Sequence, residues 1–209
     1  MHPNPAFRQS PREANLAFAR ARGFGVLALG GPEGPLIAHV PFVLADDGAA
    51  ADLHLVRSNP VARALAVGPQ AAVLAVSGPD GYVSPDWYGM DDQVPTWNYI
   101  AVHLRGPLEL LPAETLRPHL DRLSAAFEAR LAPKRPWTAD KMARDPLARM
   151  MRMIVPCRLS IATVDGTWKL NQNKPEPARL AAAEAIAASS GQDLGRLAAL
   201  MRAGGPPEP

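Results

Sequence analysis

The chain has 209 residues, 47% of them apolar and 20% charged, with a formal net charge of +2. This is the usual mix of a soluble globular protein with room for one sizeable core, and the weak charge balance points neither toward nor away from an anionic partner. The single cysteine, Cys157, excludes an intramolecular disulfide and argues against a cysteine-based zinc site.

In chain order, the N-terminal MHPNPAFRQSPRE has no apolar h-region, so it does not read as a secretory signal. No apolar run reaches the ~18–20 residues of a membrane span, and a cytoplasmic location is expected. Ser10-Pro11-Arg12-Glu13 reads as a capped helix start, and the helix is expected to stop at Gly23. Phe24–Leu29, Leu36–Leu44 and Asp52–Val56 then form a strand meander punctuated by GGPEGP and DDGAA. Asn59-Pro60 opens a short helix. Ala71–Val76 reads as a buried strand. The stretch SGPDGYVSPDWYGMDDQVPT is expected to be one long loop, and loops of that length in a compact domain are usually functional or disordered. Its aromatics argue against disorder. Trp97–Leu110 is the longest strand expected. Helices are expected at Pro112–Leu131 and within Trp137–Met153, a last strand at Val155–Val164, and a C-terminal helical region broken at Gly191.

Short strands at this spacing favour an antiparallel small barrel over a parallel sheet. The fold class expected is mainly β with added helices. The domain reading is 1–175 with a helical insertion at about 112–153, a helical extension at 176–203 and a disordered tail at 204–209.

Five of the seven Trp and Tyr residues fall between Tyr82 and Tyr99. They could form the wall of a pocket for a planar ligand, cover the open end of a barrel, or stack nucleic-acid bases. Ala64–Leu104 contains no Lys or Arg but holds Asp80, Asp86, Asp91 and Asp92, which counts against a phosphate backbone there. Arg57, Ser58 and Asn59 follow a strand and open a helix. They suit either one phosphate or a plain N-cap beside a surface arginine. Lys169, Gln172, Asn173 and Lys174 crowd one turn, either to meet an anion or a heterocycle edge or as a solvated loop. His39, His54 and His103 lie in strand runs without HxH or HExxH spacing, so no metal site is assigned. Ser58, Ser84 and Cys157 carry no nucleophile signature. Arg130–Arg152 has seven cationic residues against two acidic ones, a basic segment read as a solvated helix face, with no helix-turn-helix.

The strings HVPFVL (39–44), HLVRSNP (54–60), SGPDGYVSPDWY (77–88), VPTWNYIAVHLRG (94–106) and WKLNQNKP (168–175) occur in one order along the chain. Together they resemble the FMN-binding negative transcriptional regulator family of the Pai B type. The resemblance implies a flavin-reductase-like split β-barrel, similar to pyridoxamine-phosphate oxidase, and a bacterial homodimer with FMN near the subunit interface. It places Arg57, Ser58 and Asn59 on the FMN phosphate, and His39, Val40, Pro41 and Phe42 along the isoalloxazine. Thr96, Trp97, Asn98 and Tyr99 would line the pocket, and Lys169, Gln172 and Asn173 would close it. The chain departs mildly from the family at Ser58 and Asn171, where the family more often has Ala and Ser.

Three functional readings follow. The first is an FMN-binding repressor, with DNA as a partner on the strength of the family name alone. The second is an FMN-dependent oxidoreductase that does not bind DNA directly. The third is haem binding through His103 or His54. The catalytic residues of the second reading are not assigned.

Overall fold

The computed structural model describes residues 1–189 and 194–204, with Leu194 and Leu197 described by their backbone alone. Among the described residues there are seven strands: β1 Phe24–Leu29, β2 Leu36–Leu44, β3 Ala50–Val56, β4 Gln70–Val83, β5 Thr96–Leu110, β6 Ile154–Ser160 and β7 Thr163–Lys169. Six α-helices accompany them: α1 Arg12–Arg22, α2 Pro60–Ala64, α3 Leu116–Glu128, α4 Arg144–Met151, α5 Glu176–Ala187 and α6 Leu194–Ala203. The hydrogen-bonded order is β4-β1-β2-β3-β6-β5-β7, and β4 also pairs with β5, so six strands form a closed cycle. The pairings β1–β2, β1–β4, β2–β3, β3–β6 and β5–β6 are antiparallel.

The chain divides into two compact units. One comprises Arg20–Ala75 and Leu104–Thr163. Its strands alternate between a buried and a more exposed face, the period-2 pattern of a half-buried sheet. Leu27, Leu29, Val40, Phe42, Leu53, Leu55, Leu74, Leu104, Leu108 and Leu159 fill its core. Helix α3 packs across β2, β3 and β6 through Leu116, His119 and Leu123, which share one face at helical spacing. A side chain at Gly106 would put its Cβ 1.8 Å from the Ser160 carbonyl oxygen, so β5 must carry glycine where it passes the end of β6.

The other unit comprises Met1–Ala19, Val76–His103 and Val164–Pro209. Its core holds Phe18, Val83, Ile100, Val102, Trp168 and Leu170, with the small face of α5 (Ala178, Ala182, Ala183, Ile186) packed on α6. Asn15 knits α1 to β7. Its Oδ1 accepts from Trp168 Nε1 at 2.8 Å, its Nδ2 donates to Ser10 O at 3.2 Å, and only a glycine at position 166 leaves room for it. The buried Arg179 donates to the carbonyl oxygens of Met201 and Arg202, satisfying the open end of α6.

Two expected boundaries move. Ser77–Val83, expected in the long loop, continues β4. Gly78 makes this possible, because a Cβ there would lie 2.6 Å from the Phe18 ring and 3.0 Å from Ile100 Cβ. The expected last strand is two strands. β6 ends at Ser160, and β7 takes in Thr167, Trp168 and Lys169, which the sequence suggested as loop. The expected break at Gly191 and the tail beyond Gly204 lie outside the described residues.

Candidate functional site

In the first unit, β2 and β3 pair only over Phe42–Leu44 with Ala51–Leu53. Continued in register, Pro41, Val40 and His39 would face His54, Leu55 and Val56, but no ladder forms there. β2 instead pairs with β1, Phe24 with Pro41 through Leu29 with Leu36, and β3 with β6, Val56 with Ile154. The two strands therefore part at Pro41, and one backbone edge of His39–Pro41 is left without a strand partner. His39 is exposed and Pro41 half-buried, while Val40 and Phe42 point into the core.

Arg57 and Ser58 stand exposed at the end of β3, beside this opening. The Arg57 guanidinium is steadied by neutral carbonyls, Nε to Arg152 O at 3.2 Å and Nη2 to Ile154 O at 3.4 Å, with no carboxylate paired to it among the described residues. A fork held in place without a counter-charge suits a phosphate. Asn59 caps α2, its Oδ1 accepting from Val61 N at 2.9 Å, so the cap reading of that residue holds in this structure.

In the second unit, strand alternation splits the quartet at the start of β5. Trp97 is exposed, and Thr96 and Tyr99 are half-buried. Trp97 donates from Nε1 to Asp80 Oδ1 at 2.8 Å, and its ring meets Tyr82 edge-on at 6.4 Å. Asn98 points the other way, with Ile100 and Val102, and donates to Met201 Sδ at 3.4 Å. Its side chain is thus buried against α6 and does not share the face of Trp97. Lys169 comes back over β5, donating to Thr96 Oγ1 and, at 2.9 Å, to Trp97 O. Burial draws its pKa below the usual lysine range. Gln172 is spent on its own turn, with Nε2 donating to Trp168 O and Ala6 O and Oε1 accepting from Leu170 N. Asn173 is exposed on a cavity of about 190 Å³ that Thr96 and Lys169 also line.

Other residues carry chemistry to which the sequence alone assigns no site role. His119 on α3 faces His54, and burial, followed by the His54 ring, lowers its pKa to about 4. Its spacing with Leu116 and Leu123 was the available signal. Tyr88 and Asn171 line the cavity beside Lys169. Cys157 is buried, its thiol pushed up to about 12 by that burial, so it is no thiolate nucleophile.

A family model described as "Putative FMN-binding domain" matches residues 1–163. The chain belongs to this family. FMN is the cofactor that this membership assigns to it, and the parted β2–β3 edge with the uncompensated Arg57 fork fits a flavin phosphate. The chain is also similar to the protease synthase and sporulation protein PAI 2 of Bacillus subtilis, 27% identical over 172 residues, or 81% of each protein. Among solved structures it is similar to an FAD- and haem-binding protein of Mycobacterium smegmatis (20% identity, TM-score 0.56, covering 78% of this chain and 73% of that one). It is likewise similar to the flavocytochrome Anf3 of Azotobacter vinelandii (20%, TM-score 0.54, covering 81% and 72%). These structural likenesses establish the fold, a mainly β split barrel with added helices, as the family's motifs implied. No described helix is long and apolar enough to cross a membrane.

Proposed function

We propose that this protein is a homodimeric FMN-binding regulator, in which Arg57 and Ser58 take the FMN phosphate and the free edge of His39–Pro41, backed by the buried Phe42, runs along the flavin. The observation that carries this reading is the opening between β2 and β3, with an uncompensated guanidinium at its end. Asn59 contributes chiefly by capping α2 and so fixing the turn. Thr96, Trp97 and Tyr99, with Lys169 and Asn173, form a second set of flavin contacts, which the partner protomer of the dimer supplies, and Gln172 braces the turn that carries them. Asn98 supports that set from behind, holding β5 to α6. When bound, FMN supplies hydride and electron transfer, which the protein orients and tunes.

The homodimer is supported by the outward face of β1 and β2. Phe24 and Ile37 are 49% and 56% exposed there, beside Val26, Ala28 and Pro41. A largely apolar sheet face of this kind, interrupted by the exposed His39 opposite Val26, marks an interaction surface. The regulatory role comes from the similarity to the Bacillus protein and rests on no DNA-reading element in this chain. Transcriptional repression through direct DNA contact is the finer part of the proposal.

The deciding experiment is an absorbance spectrum of the protein as purified, with the released ligand identified after denaturation and the mass in solution measured by light scattering. A flavin spectrum, released FMN and a mass of two chains are expected. A colourless monomer that takes up no added FMN would overturn the reading. A salt-dependent shift of promoter DNA tests the regulatory part, and rapid bleaching of the flavin by NAD(P)H would favour the oxidoreductase instead.

A further inference from the structure

Tyr88 closes the 3-10 turn Pro85–Tyr88, and Asn171 sits in the turn after β7. They are only 3% and 2% exposed. The Tyr88 hydroxyl and the Asn171 Nδ2 are fully buried and neither makes a hydrogen bond of good geometry, although the Asn171 amide acts on the Tyr88 hydroxyl as a hydrogen-bonding neighbour. Buried polar groups are rarely left so, because each forfeits its bonds to water for nothing in return. Burial also raises the Tyr88 pKa, with the Asn171 amide opposing, so the phenol stays protonated and able to donate. Asn171 is held at φ +61°, and the turn is closed by Lys174 N donating to Asn171 O at 2.9 Å.

Both residues line the cavity of about 190 Å³. Two ammonium groups line it as well, and neither has an acidic partner among the described residues. Lys169 donates to the Thr96 hydroxyl and the Trp97 carbonyl. Lys174 donates to Gln93 Oε1 and lies 5.0 Å above the Tyr88 ring. The acidic residues of the neighbouring loop, Asp86, Asp91 and Asp92, do not line the cavity. Two cations without acidic partners among the described residues, and two buried donors with bonding capacity to spare, stand around one small space and form a site for negative charge. The space is below the ~300–1,000 Å³ of a cofactor-sized pocket, so a flavin ring does not enter it. Phe7 and Val94 give it an apolar wall.

We propose that this cavity binds the carboxylate of a small organic acid. Lys169 and Lys174 supply the charge, Asn171 Nδ2 and Tyr88 Oη donate to the carboxylate oxygens, and the carbon part of the acid lies against Phe7 and Val94. The inference extends the flavin reading, in which Lys169 and Asn173 also serve, by placing an anionic ligand next to that cofactor. Tyr88, Asn171 and Lys174 are its own residues, with no role in holding FMN.

The test titrates the full-length protein with butyrate and benzoate by calorimetry, with benzamide as the neutral analogue and inorganic phosphate as the non-carboxylate anion. Flavin content is recorded separately for every sample. Saturable binding of at least one acid at or below about 10 mM, with benzamide and phosphate at least about tenfold weaker, is expected. Lys174→Gln and Asn171→Asp should each weaken the acid by about tenfold or more while leaving the flavin content unchanged. Lys174→Gln alters a half-exposed side chain, so it keeps the test valid if Asn171→Asp does not fold. Acid binding that persists in a preparation unable to hold FMN supports this site and counts only against the flavin reading. No saturable binding of either acid, phosphate or benzamide binding as tightly, or undiminished binding in Lys174→Gln overturns the proposal.

Discussion

His54 Nδ1 on β3 lies 3.2 Å from His119 Nε2 on α3, the two rings meeting edge-on with centroids 5.4 Å apart. One nitrogen of the pair must carry the proton and the other must accept it, so the contact requires at least one neutral ring. The groups around it are fixed. Asp52, two residues before His54, accepts from Arg158 at 2.7 and 2.9 Å and from Arg122 at 2.8 Å. Arg158 is the direct cross-strand partner of Asp52, and Arg122 lies one turn beyond His119. The Asp52 charge is therefore already matched and offers little to a protonated His119. α3 is thus fastened to the sheet by a contact that acid breaks.

The first prediction concerns that acid limb. Burial lowers the pKa of His54 and, with the His54 ring, takes His119 from 6.5 to about 4. The unfolded chain then binds more protons than the folded one between these values. The contribution is fully present above about pH 6.5 and falls as pH drops toward 4, by up to about 3 kcal/mol for His119. Burial raises the pKa of the Asp52 carboxyl but Arg158 and Arg122 lower it more, so its own loss comes only below the ordinary carboxyl value of 3.8. Denaturant melts at pH 7, 5.5 and 4 measure this. His119→Phe should lose at least half of the decline between pH 6.5 and 4, and an unchanged decline would sink the assignment.

The contrast between these two histidines and the strand motifs shows what was legible in the sequence. Alternation and turn residues marked β1, β2, β3 and β5 because each segment carries its own pattern. Ser77–Val83 was not readable as strand, since Gly78, Pro79 and Gly81 signal a turn locally. What makes them strand is the absence of a Cβ against Phe18 and Ile100, a fact about distant residues. The same limit applies to the site. Arg57 and Ser58 were visible at a strand–helix junction. Asn98 could not be oriented without knowing that α6 supplies Met201. His119 and Asn171 gain their chemistry only from partners 65 and more residues away or from a cavity wall.

Glycine substitutions test the packing. Gly106→Ala would set a Cβ 1.8 Å from the Ser160 carbonyl oxygen and 3.1 Å from Ala162 N, both backbone atoms that cannot turn aside. Overpacking typically costs about 1–3 kcal/mol where side chains can yield, and more is expected here. Gly30→Ala meets nothing within 4 Å and should stay within about 0.5 kcal/mol of the parent. Urea midpoints of the two variants are compared, and equal midpoints would contradict the close approach of β5 to β6.

The exposed face of β1 and β2 yields a prediction about assembly. Ile37 projects from one end of that face, opposite Ala28 in the β1–β2 ladder, and is its most exposed apolar residue. Placing a charge there costs nothing in an isolated chain but leaves a carboxylate unpaired inside a dimer. Ile37→Glu should therefore convert the two-chain mass to one chain at micromolar protein, read by light scattering, with the circular dichroism spectrum unchanged. A variant that remains a dimer would move the interface off this face.

Arg57→Ala tests where the phosphate sits. Its guanidinium is anchored by the carbonyls of Arg152 and Ile154 and has no acidic partner among the described residues. A charge-assisted contact to phosphate is worth about 1.5–3 kcal/mol, so FMN should bind roughly 10- to 100-fold more weakly. Riboflavin has the same ring and no phosphate, and its affinity should hardly change. The comparison separates a lost phosphate contact from a damaged pocket, which would weaken both ligands alike. Flavin fluorescence titrations of parent and variant with each ligand give the four constants required. If the variant loses equal affinity for FMN and riboflavin, Arg57 shapes the opening between β2 and β3 and does not hold the phosphate. If it loses neither, the phosphate lies elsewhere on the chain.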